Sequence, residues 1–186
     1  HQSLVNFLKS FELFDISVSN EKKNINKSKV LILPGVGNFG QAIQFLKKKK
    51  ILNYLISKIK SGHPTLGICL GFQILFYRSD ENLKFNGMKI FKGFSKKLPF
   101  TNTGWKKTVF AKNEFGFLKR KTFYYNHSYF QKCPNKHIKA YTQIKKIKIP
   151  IVLKKDNLIG VQFHPENSQQ NGGFFFKKIL EFYEYN

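Results

Sequence analysis

The sequence has few of the features that mark secreted or membrane proteins. Its 186 residues include only two cysteines, Cys69 and Cys133, which are too few for a disulfide framework. No unbroken apolar run reaches the roughly 18 residues of a membrane-spanning helix. These absences argue against a secreted miniprotein and a membrane protein. We therefore expect residues 1–186 to form one cytoplasmic domain, close to the usual allowance of about 150 residues per domain.

Acidic residues and arginine are also scarce. The chain has 33 basic residues against 10 acidic ones, a net charge of +23, which suggests an anionic partner. Only Arg78 and Arg120 are arginine, however, and recognition of bases and phosphates favours the guanidinium group. Because the lysines are spread along the chain, we interpret them mainly as a solvated surface and expect no specific nucleic-acid binding. A basic module that binds nucleic acid or an acidic protein is a remote alternative.

The first half of the sequence alternates between helical and strand patterns. Apolar spacing predicts helices at 3–14, 41–49, 51–60 and 72–78. Short apolar runs predict strands at 16–18, 30–33 and 65–68. A glycine-punctuated loop, Pro34 to Gly40, follows the second of these strands. The alternation indicates a doubly wound α/β sheet with parallel strands and helices on both faces.

The second half is dominated by short aromatic and β-branched runs. They predict strands at 88–94, 105–110, 121–129, 137–144, 149–154 and 158–163. Asp156-Asn157 is typical of a hairpin turn, so this half is predicted to extend the sheet with antiparallel strands. A final helix is predicted at 174–184. Since a doubly wound fold normally opens with a strand and this chain opens at His1 with a helix, we expect a first strand and its loop to be missing.

Gly67-Ile68-Cys69-Leu70-Gly71 lies between a predicted strand and a predicted helix. Glycines two residues before and after a nucleophile permit the sharp, strained turn that exposes it. The N–H groups at the start of the next helix favour the reactive thiolate. The pattern predicts a nucleophilic role for Cys69.

A cysteine nucleophile needs a base and a group that orients the base. His164 and Glu166 flank Pro165, at the end of a predicted strand. Side chains two residues apart in extended backbone project to the same side, about 7 Å apart. His164 is thus the best candidate base and Glu166 its partner. A zinc site at Cys69, His127 and His164 is disfavoured because neither cysteine belongs to a CxxC pair, and we expect no metal.

Backbone N–H groups are the candidate donors for an oxyanion in acyl transfer. The N–H of Leu70 follows the nucleophile directly, and the loop Pro34 to Gly40 contains three glycines that allow backbone to approach a ligand. The loop matches neither GxGxxG nor the Walker pattern, so it gives little support for nucleotide binding.

Four segments, in this order, resemble the class I (triad) glutamine amidotransferases. They are Leu31 to Gly40, Gly67 to Gln73, His127 to Tyr129 and Gly160 to Glu166. More narrowly, they are similar to the glutaminase subunits of imidazole glycerol phosphate synthases. The resemblance implies a flavodoxin-like α/β fold and hydrolysis of L-glutamine to glutamate and ammonia without a cofactor. It also implies a heterodimer in which a (β/α)8 synthase, or cyclase, subunit uses the ammonia for histidine biosynthesis.

The resemblance also assigns roles to individual residues. Cys69 would be the nucleophile, His164 the general base and acid, and Glu166 its orienting partner. Oxyanion N–H groups would come from Val36 or Gly37 and from Leu70. The substrate would be held by Gly35, Gln73, Ser128 and Tyr129.

One stretch departs from the pattern. Where the family has a Pro-His-Met-Gly-Trp-Asn type segment near the synthase interface, this chain has Thr101-Asn102-Thr103-Gly104-Trp105-Lys106, in which only Gly104 and Trp105 match. The departure leaves the glutaminase chemistry intact but keeps a second partner open. That alternative is a subunit that supplies ammonia to an enzyme amidating a surface polysaccharide or nucleotide sugar.

Overall fold

The computed structural model describes residues 2–11 and 15–184. Its strands are β1 (Leu31–Leu33), β2 (Thr65–Ile68), β3 (Arg78–Ser79), β4 (Phe94–Lys107), β5 (Phe110–Ala111), β6 (Thr122–Lys132), β7 (Ile138–Ile144), β8 (Ile147–Lys155) and β9 (Leu158–Val161). Its helices are α1 (Gln2–Lys9), α2 (Lys22–Lys27), α3 (Phe39–Lys48), α4 (Leu52–Lys60), α5 (Leu70–Gln73) and α6 (Gln169–Glu184). Short 3-10 turns lie at Asn113–Leu118, Asn135–His137 and Pro165–Asn167.

The main sheet has the strand order β1-β2-β9-β8-β7-β5. β1, β2 and β9 are parallel, whereas β8, β7 and β5 continue the sheet in antiparallel pairs. The turn at Asp156-Asn157 joins β8 to β9, with Lys155 paired to Leu158, as predicted. The predicted α/β class, with a parallel core and an antiparallel extension, is confirmed.

Two apolar clusters cover the faces of this sheet. Leu66 and Ile68 of β2 pack in the cluster that includes α1 and α6. Leu33 of β1 packs in the other cluster, which includes α2, α3 and α4. The sheet is therefore buried on both sides, which explains why the parallel strands are continuous apolar runs in sequence. The active-site candidates follow the carboxyl ends of β2 and β9.

Part of the antiparallel half forms a separate sheet, which the sequence did not indicate. β4 lies between β3 and β6, pairing antiparallel with β6 over most of its length. This second sheet carries residues 126–129 to the mouth of the site.

Several predicted boundaries were wrong. The helix predicted at 72–78 ends at Gln73, because the carbonyls of Ile74 to Tyr77 accept hydrogen bonds from backbone N–H groups of residues 87–90. The strand predicted at 88–94 begins only at Phe94 for the same reason. Residues 16–18 do not form a strand: Val18 is exposed and the segment joins no sheet ladder. Of the helix predicted at 3–14, residues 12–14 lie outside the described residues, and α2 was not predicted.

Candidate active site

Cys69 occupies a strained turn between β2 and α5. Its backbone has φ 50° and ψ −106°, a conformation that side-chain-bearing residues rarely adopt. The N–H of Cys69 donates to the carbonyl of Val161 at 2.8 Å, which ties the turn to β9. At Gly71 a side chain would collide with the backbone of Leu33, so glycine is required there for β1 to lie against the turn. Local sequence thus places the sulfur at the end of the sheet.

His164 reaches the same point from the end of β9. Its backbone N–H donates to the carbonyl of Tyr124 at 2.9 Å, and the hydroxyl of Ser168 donates to the carbonyl of His164 at 2.6 Å. His164 Nδ1 lies 2.9 Å from Glu166 Oε1. Cys69 also acts on this ring and raises its pKa, and because Glu166 occupies Nδ1, Nε2 is the nitrogen available to the sulfur. The structure therefore brings together the thiol, the imidazole and the carboxylate of Cys69, His164 and Glu166, which we call the candidate triad.

The electrostatics of the candidate triad favour a charged imidazole. Burial opposes the imidazolium, but the hydrogen bonds and charges of Cys69 and Glu166 outweigh it and raise the pKa of His164 to about 10. The second carboxylate oxygen of Glu166 is buried without a hydrogen-bond partner among the described residues, so its charge is balanced chiefly through His164. At neutral pH the histidine therefore carries a proton that it can give to a leaving group.

A pocket of about 360 Å³ opens over Cys69 and His164. It is lined by Val36, Gly37, Cys69, Leu70, Gln73, Glu81, Tyr124, Asn126, His127, Ser128, Tyr129, His164 and Asn167. Glu81 had no sequence signal, because it follows the short strand β3 and reaches the site only through tertiary packing. Its Oε2 accepts from the N–H of Phe39 at 2.6 Å, which fixes a carboxylate at one side of the pocket.

Three of the four residues expected to hold the substrate line the pocket. Gln73, Ser128 and Tyr129 line it. Gly35 is not among the lining residues; it packs against the elbow, where a Cβ would lie 2.7 Å from the Cβ of Leu70. Gln73 already donates through Nε2 to Gln162 Oε1 at 3.3 Å.

The candidate oxyanion donors do not all point into the pocket. The N–H of Leu70 donates to the carbonyl of Gly35 at 3.4 Å, a long hydrogen bond. Since this peptide bond is trans, the N–H of Val36 on the same peptide points away from Leu70. Gly37, at φ 108°, follows directly. In this conformation the Leu70 and Val36 N–H groups do not converge on one point.

His127 is a buried neutral histidine beside the candidate triad. Burial lowers its pKa to about 4, with a smaller contribution from the charge of His164. Nδ1 lies 2.7 Å from the carbonyl of Tyr129 and Nε2 lies 2.8 Å from Asn102 Nδ2. The tautomer with hydrogen on Nδ1 satisfies both contacts. Asn102, in the stretch that differs from the family pattern, thus orients His127, which in turn holds the backbone of Tyr129.

Metal binding and membrane insertion find no site in the described part of the chain. Within residues 2–11 and 15–184, no three His, Cys, Asp or Glu side chains are grouped as a metal site would need. None of the helices described there has both the length and the hydropathy to cross a bilayer.

Comparison with known proteins shows the family of this chain. The family model described as glutamine amidotransferase class-I matches residues 1–181. The chain belongs to the class-I glutamine amidotransferase family. The fold of this amidotransferase is similar to a crystal structure of a glutamine amidotransferase, with a TM-score of 0.73 at 13% identity, covering 98% of this chain and 93% of that one.

Sequence relatives of this amidotransferase cover most of its length. The imidazole glycerol phosphate synthase subunit HisH of Lactococcus lactis subsp. lactis (strain IL1403) is 36% identical over 173 residues, covering 88% of this chain and 85% of that protein. HisH of Bacillus cytotoxicus (strain DSM 22905 / CIP 110041 / 391-98 / NVH 391-98) is 38% identical over 163 residues, covering 83% and 77%.

Proposed function

We propose that this amidotransferase is the glutaminase subunit of an imidazole glycerol phosphate synthase. It would hydrolyse L-glutamine to glutamate and ammonia and pass the ammonia to a synthase partner in histidine biosynthesis. The observation that carries the chemistry is the contact of Cys69 with His164, whose Nδ1 is bound to Glu166. The HisH relatives support the pathway.

The reaction follows from the positions of the three side chains. The Cys69 thiolate attacks the side-chain amide carbon of glutamine and forms a C–S bond. His164 gives its proton to the amide nitrogen, the C–N bond breaks and ammonia leaves. His164 then takes a proton from water, which attacks the thioester; glutamate forms and the sulfur is released. Glu166 keeps the imidazole oriented and stabilises its positive charge.

The pocket is suited to an amino-acid substrate. Glu81 supplies a fixed carboxylate for the α-ammonium group, while Ser128 and Tyr129 of the second sheet also line the pocket. Gln73 would contribute an amide and Gly35 a close backbone approach. No cofactor has a role in this reaction.

We also infer where the synthase partner docks. Val36 is 73% exposed and lines the pocket, and the exposed Trp105 ring lies 6.0 Å from the Tyr124 ring, which lines it too. Apolar groups left open beside a reaction pocket suit a partner that receives its product. We expect a (β/α)8 cyclase subunit in a cytoplasmic heterodimer, since two free cysteines, one of them the nucleophile, suit a reducing compartment.

Replacement of the nucleophile tests the chemistry. Cys69→Ala should abolish glutamine hydrolysis, assayed as glutamate release with the partner present, and leave the thermal unfolding midpoint nearly unchanged. Cys133→Ala is the matched control: Cys133 lies away from the pocket, and burial raises the pKa of its thiol to about 12. Full activity in Cys69→Ala would end the proposal.

Co-purification tests the pathway. Affinity capture of the chain from its own cells should recover a cyclase, and adding the cyclase should greatly increase the slow glutamine hydrolysis of the chain alone. Recovery of a sugar-modifying enzyme instead would favour the alternative ammonia acceptor and overturn the histidine assignment.

A further inference from the structure

A buried glutamine lies against the sulfur of the proposed nucleophile. Gln162 is fully buried, and its Nε2 lies 3.7 Å from Cys69 Sγ. It follows β9 directly and precedes His164 by two residues. The sulfur thus has two neighbours from one strand end, an imidazole and an amide.

The orientation of the Gln162 amide is determined by its other contacts. Its Oε1 accepts from Gln73 Nε2 and from Gln131 Nε2, each at 3.3 Å. Gln131 is itself oriented, because its Oε1 accepts from the hydroxyl of Ser95 at 2.9 Å. With two donors on the carbonyl oxygen, the NH₂ group of Gln162 must face the sulfur.

All the donors in this chain of hydrogen bonds point the same way. The hydroxyl of Ser95 donates to Gln131, Gln131 donates to Gln162, and Gln162 donates to Cys69, and the first three of these side chains are 0–1% exposed. Hydrogen bonds aligned in this way polarise one another, and in a site closed to water they favour negative charge at the accepting end. That end is the sulfur, which accepts more strongly as a thiolate than as a thiol.

We propose that Gln162 is a catalytic residue of this site, donating a hydrogen bond that stabilises and aims the Cys69 thiolate. Gln131 and Ser95 are positioning residues that act through Gln162. The proposal rests on the proposed glutaminase function and adds a residue to which that function gave no role. It also explains why polar side chains occupy an otherwise apolar region next to β9.

The test measures the nucleophile directly, without glutamine or a partner. In a Cys133→Ala background, the rate of Cys69 alkylation by iodoacetamide is followed by intact mass from pH 5 to pH 10. Gln162→Met keeps the side-chain length and removes the donor, and it should lower the rate at pH 7 about tenfold and move the midpoint of the pH profile upward. Gln143→Met is the matched control, because Gln143 is exposed and donates to the carbonyl of Lys145; its profile should not move.

Other titrating groups near the sulfur are the same in each variant. They are His164, Glu166, which contacts His164, and the pocket-lining residues Glu81, His127, Tyr124 and Tyr129. A shift confined to the Gln162 variants is therefore assigned to the amide.

A second pair of variants covers the case in which Gln162→Met does not fold, as judged by circular dichroism. Gln162→Glu keeps the shape and the acceptor for Gln73 and Gln131 but places a carboxylate oxygen at the sulfur, so alkylation should slow at least tenfold. Gln131→Met, which releases the Gln162 carbonyl from one donor, should slow it less and in the same direction. Unchanged profiles in whichever of these variants fold would overturn the proposal. If the variants slow alkylation as expected but the natural chain hydrolyses no glutamine beside any partner, the proposed function is rejected and the role of Gln162 stands.

Discussion

His164 is held between two groups that favour its protonated form. Glu166 contacts one ring nitrogen at 2.9 Å, and Cys69 also favours the charged ring. A histidine whose pKa is raised to about 10 in the fold stabilises the fold most below its unfolded pKa of about 6.5. That stabilisation is lost as the pH rises from about 6.5 through about 10.

Replacing the carboxylate should reduce this pH dependence. In Glu166→Gln the imidazolium loses its charged partner, so the free energy of unfolding should fall less between pH 6.5 and 10 than in the natural chain. Urea unfolding at pH 6, 8 and 10 measures this, and kcat should fall by about 10² to 10⁴. Glu181→Gln is the control, because Glu181 pairs with Lys178 on the surface. Equal pH dependence in the Glu166→Gln and natural chains would contradict the assignment.

Which single residues could be found from sequence depended on how local their signal is. Cys69 sits between two glycines, and Glu166 follows His164 by two positions, so spacing alone suggested them. Glu81 and Gln162 carry no such pattern. Glu81 enters the pocket because the chain turns back after α5, and Gln162 is recognisable only once its contact with the sulfur is known.

At the scale of elements, the elbow depends on the close approach of β1 to the start of α5. Gly71→Ala would drive a methyl group into the Leu33 backbone and should destabilise the fold by about 1–3 kcal/mol, the usual cost of overpacking. Chemical unfolding in urea measures the change. Gly116→Ala is the control, because a methyl group there meets no atom within 4 Å; a loss as large at Gly116 would refute the explanation.

The loop before α3 should limit the isolated subunit. The Leu70 N–H is directed at the Gly35 carbonyl, so a peptide rotation is needed before the Leu70 and Val36 N–H groups can serve one oxyanion. Each such donor contributes about 10² to 10³ in kcat. We therefore expect slow glutamine hydrolysis by the chain alone and an increase of at least 10² when the synthase partner is added, measured as kcat with and without it. Equal rates would show that the loop needs no rearrangement.

Element types were predicted better than their ends. The apolar runs of β1, β2 and β9 and the hairpin at Asp156-Asn157 are local signals that the structure confirms. The helix predicted through residue 78 failed because backbone contacts with residues 87–90 replaced its own hydrogen bonds. Spacing along a sequence cannot show a competitor that is distant along the chain.

Over the whole molecule, the chain has a net charge of +23, but no lysine or arginine belongs to the candidate triad. The triad consists of a thiol, an imidazole and one of only ten acidic residues. The lysines remain available to attract an acidic partner surface, and attraction between exposed charges is screened by salt.

Partner binding should therefore weaken as salt increases. The dissociation constant for the synthase subunit should rise between 50 and 500 mM NaCl, because the Debye length shrinks to a few ångströms over this range. Isothermal titration calorimetry measures this, with a neutral solute at equal osmolality as the control. A constant affinity would show that the lysines do not contribute to partner binding. Salt-sensitive RNA binding by Cys69→Ala, together with no glutaminase activity in the natural chain, would instead support a basic binding module.

The sequence by itself determined the family and predicted Cys69 as nucleophile and His164 as its base, because glycine spacing, strand periodicity and the order of four segments can all be read along the chain. Only the tertiary structure decided the division into two sheets, the entry of Glu81 into the pocket, the direction of the Gly35 carbonyl and the contact of Gln162 with the sulfur. Those features depend on groups that are far apart in the chain, and they form only when packing brings them together.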